Sequence, residues 1–274
     1  MLFRSSGLAR DGLICIGSMD LERLDAFFPA RISIRQVTAS RLPQALYEPT
    51  QGLYYDDYYV LIAQGCSNRC SYCNVNRSKG RVRSELPEQI EAEVAAGLAR
   101  GARRFALLAD DCGSYGHDLG SDLAELIERL FALGGHFSLK LGYLYPGFLL
   151  NRFDAMERLF ATGRISFVNI PVQSGSQRLL DLMNRRYPIA AVLEMVRRLH
   201  EAAPSSRLCT HLLMNFPTET REEFLQTLAA AESFDEAVFL HYSDNERTGA
   251  ADLVPKVPAD EARRRWNLAS DFAN

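Results

Sequence analysis

The segment Gly65-Cys66-Ser67-Asn68-Arg69-Cys70-Ser71-Tyr72-Cys73-Asn74 places three cysteines at CxxxCxxC spacing on one short loop. This loop is the strongest indication in the sequence of both the fold and its chemistry. The loop follows the apolar run 58–63, whose aromatic and β-branched residues are typical of a buried strand, and a glycine ends that strand. Three thiolates can therefore converge above the carboxyl end of the strand. Soft thiolate ligands select zinc, copper(I) or an iron–sulfur cluster.

The choice among these metals depends on whether the chain offers a fourth ligand. A structural zinc site normally has four protein ligands. The nearest cysteines on either side are Cys15 and Cys112, and neither has a partner at zinc-finger spacing. A loop that leaves one metal position open favours a [4Fe–4S] cluster, with zinc as the alternative. We predict that the metal ligands are Cys66, Cys70 and Cys73.

The composition is that of an ordinary globular protein. The chain has 274 residues, of which 47% are hydrophobic and 24% charged, enough for one large domain. A net charge of -3 and a pI near 6.0 provide no basic surface, which argues against a nucleic-acid substrate. The sequence contains neither an apolar run of about 18 residues nor a signal-like start. We therefore expect a cytoplasmic protein with no membrane partner, whose cysteines are metal ligands or buried thiols.

From residue 58 onward, strand patterns alternate with helix patterns. The predicted strands are 58–64, 104–109, 137–145, 165–172, 208–214 and about 237–242. Helices are predicted between them, one opened by Pro87 and one begun by a Thr220–Glu223 capping box. Six such repeats imply a parallel sheet of βαβ units. With a reactive loop after the first strand, the pattern predicts an α/β fold, a partial (β/α)6 barrel of the TIM type with its site at the carboxyl ends of the strands.

Three segments make up the predicted domain organisation. Residues 1–55 are expected to form a small α/β appendage, too short to have its own core. Residues 56–251 are the barrel core, and residues 252–274 are a C-terminal helical tail that contains Trp266.

The cysteine loop resembles the cluster loop of the radical S-adenosylmethionine (SAM) superfamily, in which an aromatic residue, here Tyr72, precedes the last cysteine. The resemblance implies that the open iron binds the amino and carboxylate groups of SAM. It also implies an electron donor such as flavodoxin or ferredoxin, whose electron splits SAM into methionine and a 5′-deoxyadenosyl radical. That radical would abstract hydrogen from a substrate, with the protein positioning and shielding the reactants.

Longer motifs over residues 59–250 are similar to the methylthiotransferase branch of this superfamily. They occur in the same order as in that branch. They are Leu107-Leu108-Ala109-Asp110-Asp111 with Ser114-Tyr115-Gly116-His117-Asp118-Leu119-Gly120, Leu144-Tyr145-Pro146, Ile170-Pro171-Val172-Gln173-Ser174-Gly175-Ser176 continuing through Leu180 to Met183-Asn184-Arg185, and Phe216-Pro217-Thr218-Glu219-Thr220 continuing to Phe224.

Departures from that branch bear on the reaction. Only about 55 residues precede the barrel, where the branch has a domain with a second cluster, and Gly17-Ser18 stands where Gly-Cys is expected. We also expect no RNA-binding β-barrel of the kind that usually follows in this branch, because the sequence ends at Asn274. Asn215 lies where the motif has glycine, and Lys140 lies where arginine is usual. We therefore expect an enzyme that kept the radical generator and lost the methylthiolation apparatus.

Five residues are predicted to bind the cofactor. By resemblance, Tyr72 lays its backbone along the adenine of SAM, with loop packing as the alternative. Gln173 and Ser174 are expected to hydrogen-bond the ribose and methionyl parts of SAM, unless they cap the next helix. Lys140 is either a cationic partner of the SAM carboxylate or a solvated lysine. Asn215 completes this set.

Asp110, Asp111, Cys112 and Tyr115 are the candidate catalytic residues. The adjacent carboxylates could bind a cationic substrate group or share one proton, although strand alternation is expected to send them to opposite faces. Cys112 is either a thiyl-radical relay or a buried inert thiol. Tyr115 either lines the substrate space or packs in the core.

The function predicted from the sequence is reductive cleavage of SAM at a single [4Fe–4S] cluster, followed by hydrogen abstraction from a small-molecule or peptide substrate. One alternative is a minimal methylthiotransferase or methyltransferase that modifies RNA or protein. The other is a non-catalytic protein that uses the cluster structurally or as a sensor.

Overall fold

The computed structural model describes residues 57–272, along which strands and helices alternate. The strands are β1 (Tyr58–Leu61), β2 (Ala63–Gln64), β3 (Arg83–Ser84), β4 (Arg104–Leu108), β5 (Ser138–Leu141), β6 (Ile165–Asn169), β7 (Arg207–Met214) and β8 (Glu236–His241). The helices are α1 (Val75–Lys79), α2 (Pro87–Ala99), α3 (Leu123–Ala132), α4 (Pro146–Asn151), α5 (Phe153–Ala161), α6 (Gln177–Leu182), α7 (Ile189–Ala202), α8 (Arg221–Ala231) and α9 (Ala259–Phe272). The predicted appendage over 1–55 lies outside the described residues.

Six of the strands form one parallel sheet in the order β1-β4-β5-β6-β7-β8. The order in the sheet follows the order in the chain, with helices between successive strands, as βαβ units require. Strands β2 and β3 form a separate antiparallel pair beside the cysteine loop. The predicted α/β class and its partial (β/α)6 arrangement are confirmed.

The hydrophobic core lies between the sheet and its helices. Phe105 and Leu107 of β4 are fully buried. Helix α3 shows why the helices pack on the sheet: its buried residues are Leu123, Ala124, Leu126, Ile127 and Leu130, which share one face at helical spacing. Asp122 caps this helix, because its carboxylate accepts hydrogen bonds from the backbone N–H groups of the first turn.

Two short helices depart from the predicted pattern. Helix α4 begins at Pro146, a residue suited to a first helical turn, and α6 is capped by the Ser176 side chain. The observed strands are correspondingly shorter than predicted, since β5 ends at Leu141 and β6 at Asn169. The polar motif residues beyond these points therefore lie on loops at the carboxyl edge of the sheet.

The C-terminal elements agree with the sequence pattern. The capping box of Thr220 and Glu223 is present at the start of α8. Helix α9 docks on the core through Arg265, which is buried and lies 2.8 Å from Glu219, whereas Trp266 is 46% exposed. Among residues 57–272, no helix is both long and apolar enough to cross a membrane.

Candidate functional site

A cavity of about 160 Å³ lies at the carboxyl edge of the sheet, and the cysteine loop forms part of its wall. Loops after β2, β4, β5 and β6 contribute to it, together with one residue of β7. The lining residues are Cys66, Asn68, Cys70, Tyr72, Cys73, Val75, Asp110, Asp111, Tyr143, Tyr145, Pro171, Gln173, Arg185 and His211. The predicted site residues that lie outside this lining are Cys112, Tyr115, Lys140, Ser174 and Asn215.

Each sulfur of the cysteine loop accepts an N–H hydrogen bond. The donor–sulfur pairs, each 3.4 Å apart, are Asn68 N and Nδ2 with Cys66, Arg185 Nη1 with Cys70, and Val75 N with Cys73. Donors of this kind stabilise negative charge on sulfur and influence the potential of a cluster bound there. The loop is therefore arranged to hold thiolates.

The loop is also held in place by residues of the family motif farther along the chain. The backbone N–H of Ser71 donates to the carbonyl of Met183 at 3.0 Å. The side-chain amide of Asn184 donates to the Arg69 carbonyl at 2.6 Å. These contacts explain why a motif more than a hundred residues from the cysteines belongs to the same site.

Without a bound metal, the thiols of Cys66 and Cys73 hold their protons more tightly than an exposed cysteine does. Burial, with the nearby charge of Asp111, raises the pKa of Cys66 to about 11, and burial also raises the pKa of Cys73. Thiols of this kind release their protons when a metal cation binds. All three are free thiols. Within residues 57–272, no three His, Cys, Asp or Glu side chains stand ready to chelate a single metal ion.

Both carboxylates of the Asp110–Asp111 pair line the cavity, contrary to the prediction that they face opposite ways. The reason is that β4 ends at Leu108, so strand alternation no longer applies to them. Asp110 accepts hydrogen bonds from the Gly65 N–H at 2.8 Å and from Lys79 Nζ at 2.7 Å. The partners of Asp111 are Asn68 Nδ2, Ser114 Oγ, Gly113 N and Tyr145 N, at 2.7 to 3.0 Å. These contacts tie the cysteine loop to the loops after β4 and β5.

Cys112 and Tyr115 lie in the core, the alternative that the sequence analysis gives for each of them. Both side chains are fully buried, and neither lines the cavity. The Cys112 sulfur lies 3.6 Å from the carbonyl of Leu107, and burial raises the pKa of this thiol to about 12. The Tyr115 hydroxyl donates to the carbonyl of Glu85 at 3.2 Å. Both side chains therefore pack in the core, and a catalytic role for either stays a prediction.

The loop after β6 separates two residues that were predicted to act together. Gln173 faces the cavity and has a positive φ of 71°. Ser174 turns inward and lies 3.2 Å from the hydroxyl of Thr227 on α8. Gly175 permits this close approach, since a Cβ at that position would lie 2.1 Å from the carbonyl oxygen of Gln226. Gln173 thus remains a predicted SAM-binding residue, whereas the contacts of Ser174 are structural.

Asn215 has a conformation that glycine adopts more readily. Its φ is 60°, and its backbone N–H donates to the buried carboxylate of Glu219 at 2.7 Å. Its side-chain amide atoms are buried and have no hydrogen-bond partner among the described residues. Asn215 is 4% exposed and outside the cavity, so its role in SAM binding stays a prediction.

Lys140 is not the solvated lysine of the alternative prediction, since it is 4% exposed, and its predicted contact with the SAM carboxylate stays a prediction. It lies outside the cavity, and its ammonium is 2.8 Å from the carboxylate of Asp57, which precedes β1. Arg104, the first residue of β4, binds the other oxygen of the same carboxylate at 2.9 Å. Arg104 lies at the amino end of β4 and Asp57 directly before β1, at the edge of the sheet opposite the cysteine loop, and the Lys140 side chain reaches this carboxylate from within β5. Lys140 therefore serves a buried ion cluster in the core.

Arg185, and not Lys140, is the cationic side chain among the lining residues of the cavity. The sequence analysis assigns no role to Arg185. It is 4% exposed, and its guanidinium lies 4.9 Å from the centre of the Tyr145 ring. The signal that could have found it is its position at the end of the Met183-Asn184-Arg185 motif. The sequence alone does not indicate that this arginine reaches the cysteines, because residues 177–182 fold back as helix α6.

His211 lies in the wall of the cavity as a neutral histidine. It is 9% exposed, its Nε2 is 2.8 Å from the side-chain amide nitrogen of Asn169, and its ring packs edge-on against Tyr143. Burial lowers the pKa of His211 to about 4.

This histidine is expected to make the folding free energy depend on pH. The unfolded chain takes up a proton at His211 near pH 6.5, whereas the folded protein does so only near pH 4, so stability falls as the pH drops between these values. The full difference is worth about 3 kcal/mol. In urea unfolding at pH 7.5, 5.5 and 4.5, we expect His211→Gln to reduce this loss. An unchanged pH dependence in the variant would contradict the assignment.

Comparison with known proteins identifies what the chain is similar to. The sequence model described as "Radical SAM superfamily" matches residues 60–231. The ribosomal protein uS12 methylthiotransferase RimO of Thermodesulfovibrio yellowstonii is 35% identical over 217 residues, which cover 76% of this chain and 50% of that protein. The tRNA-2-methylthio-N(6)-dimethylallyladenosine synthase of Clostridium botulinum is 33% identical over 221 residues, covering 79% and 49%. The chain thus spans about half the length of these curated relatives.

Solved structures share the fold at low sequence identity. The methyltransferase TsrM from Kitasatospora setae, described with cobalamin and a [4Fe-4S] cluster bound, has a TM-score of 0.58 and 18% identity, covering 71% of this chain and 36% of its own. Coproporphyrinogen III oxidase (HemN) from Escherichia coli has a TM-score of 0.53 and 13% identity, covering 79% and 51%.

Proposed function

Because this chain belongs to the radical SAM superfamily, in its methylthiotransferase-related branch, we propose that it reductively cleaves SAM at a single [4Fe–4S] cluster and abstracts hydrogen from a small-molecule or peptide substrate. The observation that carries the proposal is the cysteine loop itself. Cys66, Cys70 and Cys73 line one cavity, and each sulfur accepts an N–H hydrogen bond. This donor set fits three thiolates on one cluster.

When bound, the cluster and SAM supply the reducing electron and the 5′-deoxyadenosyl radical. The protein's own residues hold and enclose them. Gln173 and Tyr72, which line the cavity, are the proposed SAM contacts. Arg185 and Tyr145 form the side of the cavity next to Cys70 and would help to enclose the reacting groups there.

The proposal of a single cluster is supported by the other cysteines of residues 57–272. Cys112 and Cys209 are both buried, and both lie outside the cavity. Burial raises the pKa of each thiol to about 12. Neither provides a ligand for a second cluster within the described part of the chain. Cys15 lies outside it.

A methylthiotransferase or methyltransferase is the second candidate, and the relatives favour it. The names of the two curated relatives give a ribosomal protein and a tRNA nucleoside as their targets. A protein segment as substrate would agree with the relative that is named for a ribosomal protein. A tRNA target, as in the name of the other relative, would require binding of nucleic acid, which the net charge of -3 does not favour.

One experiment separates these candidates. The protein is reconstituted anaerobically with iron and sulfide, reduced with dithionite and assayed with SAM for 5′-deoxyadenosine. About four irons per chain and formation of the nucleoside support the proposal. About eight irons, or a methylthiolated product, favour the second candidate. Four irons without nucleoside indicate a sensor, and bound zinc without nucleoside overturns the proposal.

A further inference from the structure

We propose that Arg185 is a positioning residue that raises the reduction potential of the cluster by holding a fixed positive charge against the Cys70 sulfur. This inference rests on the proposed function, because it requires a cluster on the cysteine loop. It goes further by assigning one side chain to the control of electron uptake.

The guanidinium of Arg185 is held in one orientation by four hydrogen bonds. Its acceptors are Cys70 Sγ at 3.4 Å and Tyr72 Oη at 3.2 Å from Nη1, Tyr187 Oη at 2.7 Å from Nε, and the Pro171 carbonyl oxygen at 2.5 Å from Nη2. The Tyr187 hydroxyl is itself fixed, because it donates to the carbonyl of Val172 at 2.8 Å. A side chain with so many contacts cannot move away from the sulfur without breaking several of them.

Arg185 differs from the other buried cations of the described residues in the groups that accept its hydrogen bonds, none of which is a carboxylate. Within residues 57–272, the buried lysine and arginines are Lys140, Arg185 and Arg265. Lys140 is paired with Asp57, and Arg265 is paired with Glu219 and Glu261. The groups that contact Arg185 through its N–H donors are phenols, a carbonyl and a thiol.

A buried cation without an anion is costly, so a bound anion is expected to balance it. The group next to Arg185 that becomes anionic is the cysteine loop. Three thiolates bound to a [4Fe–4S] cluster carry net negative charge, and the Cys70 sulfur is the member of this set that Arg185 contacts. Arg185 is therefore matched to the loaded site.

The same charge affects electron uptake. One electron from a low-potential donor makes the cluster more negative by one charge, and no bond forms or breaks at Arg185. Arginine keeps its proton under these conditions, so its charge is constant. A fixed cation at hydrogen-bond distance stabilises the more negative form, and a low-dielectric site strengthens this effect. Reduction is therefore easier with Arg185 present.

The test is a redox titration of the reconstituted holoprotein, followed by the electron paramagnetic resonance signal of the reduced cluster. Arg185→Met, which removes the charge, is expected to lower the equilibrium constant for one-electron reduction about 10-fold, which is 59 mV. Arg185→Lys keeps the charge and is expected to recover most of the potential. Tyr187→Phe is the matched control, since it removes a buried hydrogen bond of the same guanidinium while keeping the charge.

An Arg185→Met protein with full iron content and the wild-type potential would overturn the inference. If Arg185→Met fails to fold or to bind iron, Arg185→Lys decides. An iron-loaded Lys variant with a potential close to wild type supports the requirement for charge. A Lys variant that loses the potential, or that also fails to bind iron, overturns the inference, because the positive charge alone is then not what the site requires. Absence of a cluster in the wild-type protein would instead refute the proposed function itself. These two failures are therefore distinguishable.

Discussion

A Cys70→Ser variant is expected to lose its cluster and to form no 5′-deoxyadenosine above background after anaerobic reconstitution. Cys70 is the middle ligand of the loop, and its sulfur accepts the hydrogen bond from Arg185. A serine hydroxyl is a hard ligand that does not replace a thiolate on iron. The loss should exceed about 100-fold, because removing an outer-sphere partner alone costs up to that much. Iron content, visible absorption and nucleoside formation measure it.

Cys209→Ala is the matched control for this loss. Cys209 is a buried cysteine of β7 outside the cavity, so its removal should leave the iron content and nucleoside formation close to wild type. A Cys70→Ser protein that retains full iron and activity would show that the cysteine loop is not the cluster site. Equal losses in both variants would point to general destabilisation.

The second large effect concerns stability. Asp57→Ala is expected to lower the free energy of unfolding by about 3–5 kcal/mol, because it leaves the ammonium of Lys140 buried without its carboxylate. Asp57 is fully buried and Lys140 is 4% exposed, so water cannot easily replace the lost partner. Urea unfolding monitored by circular dichroism measures the change.

Two further variants show whether the charge pair is responsible. The double variant Asp57→Ala/Lys140→Met should recover part of the lost stability, because no buried charge then lacks a partner. Arg197→Ala removes exposed ion pairs with Glu194 and Glu201 and should cost less than about 1 kcal/mol. If Asp57→Ala costs no more than Arg197→Ala, the buried pair does not stabilise the fold. A SAM-binding defect confined to Lys140→Met would restore the original prediction for Lys140.

Local pattern was sufficient to predict the fold and the convergence of the three loop cysteines on one cavity. The alternation of strands and helices from residue 58 onward predicts a parallel α/β sheet, because that topology follows from the order of elements. Cys66, Cys70 and Cys73 lie within eight residues of one another, so their convergence needs no tertiary information. The position of Asp110, Asp111 and Gln173 at the carboxyl edge of the sheet was also predictable, since each follows a strand.

The partners of an individual side chain were not predictable from its residue type and its position in a motif. Lys140 lies within β5, but its partner Asp57 is at the opposite end of the sheet from the cysteines. Cys112 and Tyr115 follow β4, yet a turn of 3₁₀ helix directs both into the core. In each case the residue type and its position in the motif suggested chemistry, and packing decided otherwise.

The parallel sheet, the convergence of the three loop cysteines and the edge at which they meet follow from the amino-acid sequence, because all three depend on contacts between neighbours in the chain or in the repeat. Tertiary structure alone decided which cation belongs to the cavity. Arg185 reaches Cys70 across 115 residues because helix α6 and the contacts of Met183 and Asn184 bring the two loops together. Such a contact depends on the packing of distant segments, and no local period in a sequence encodes it.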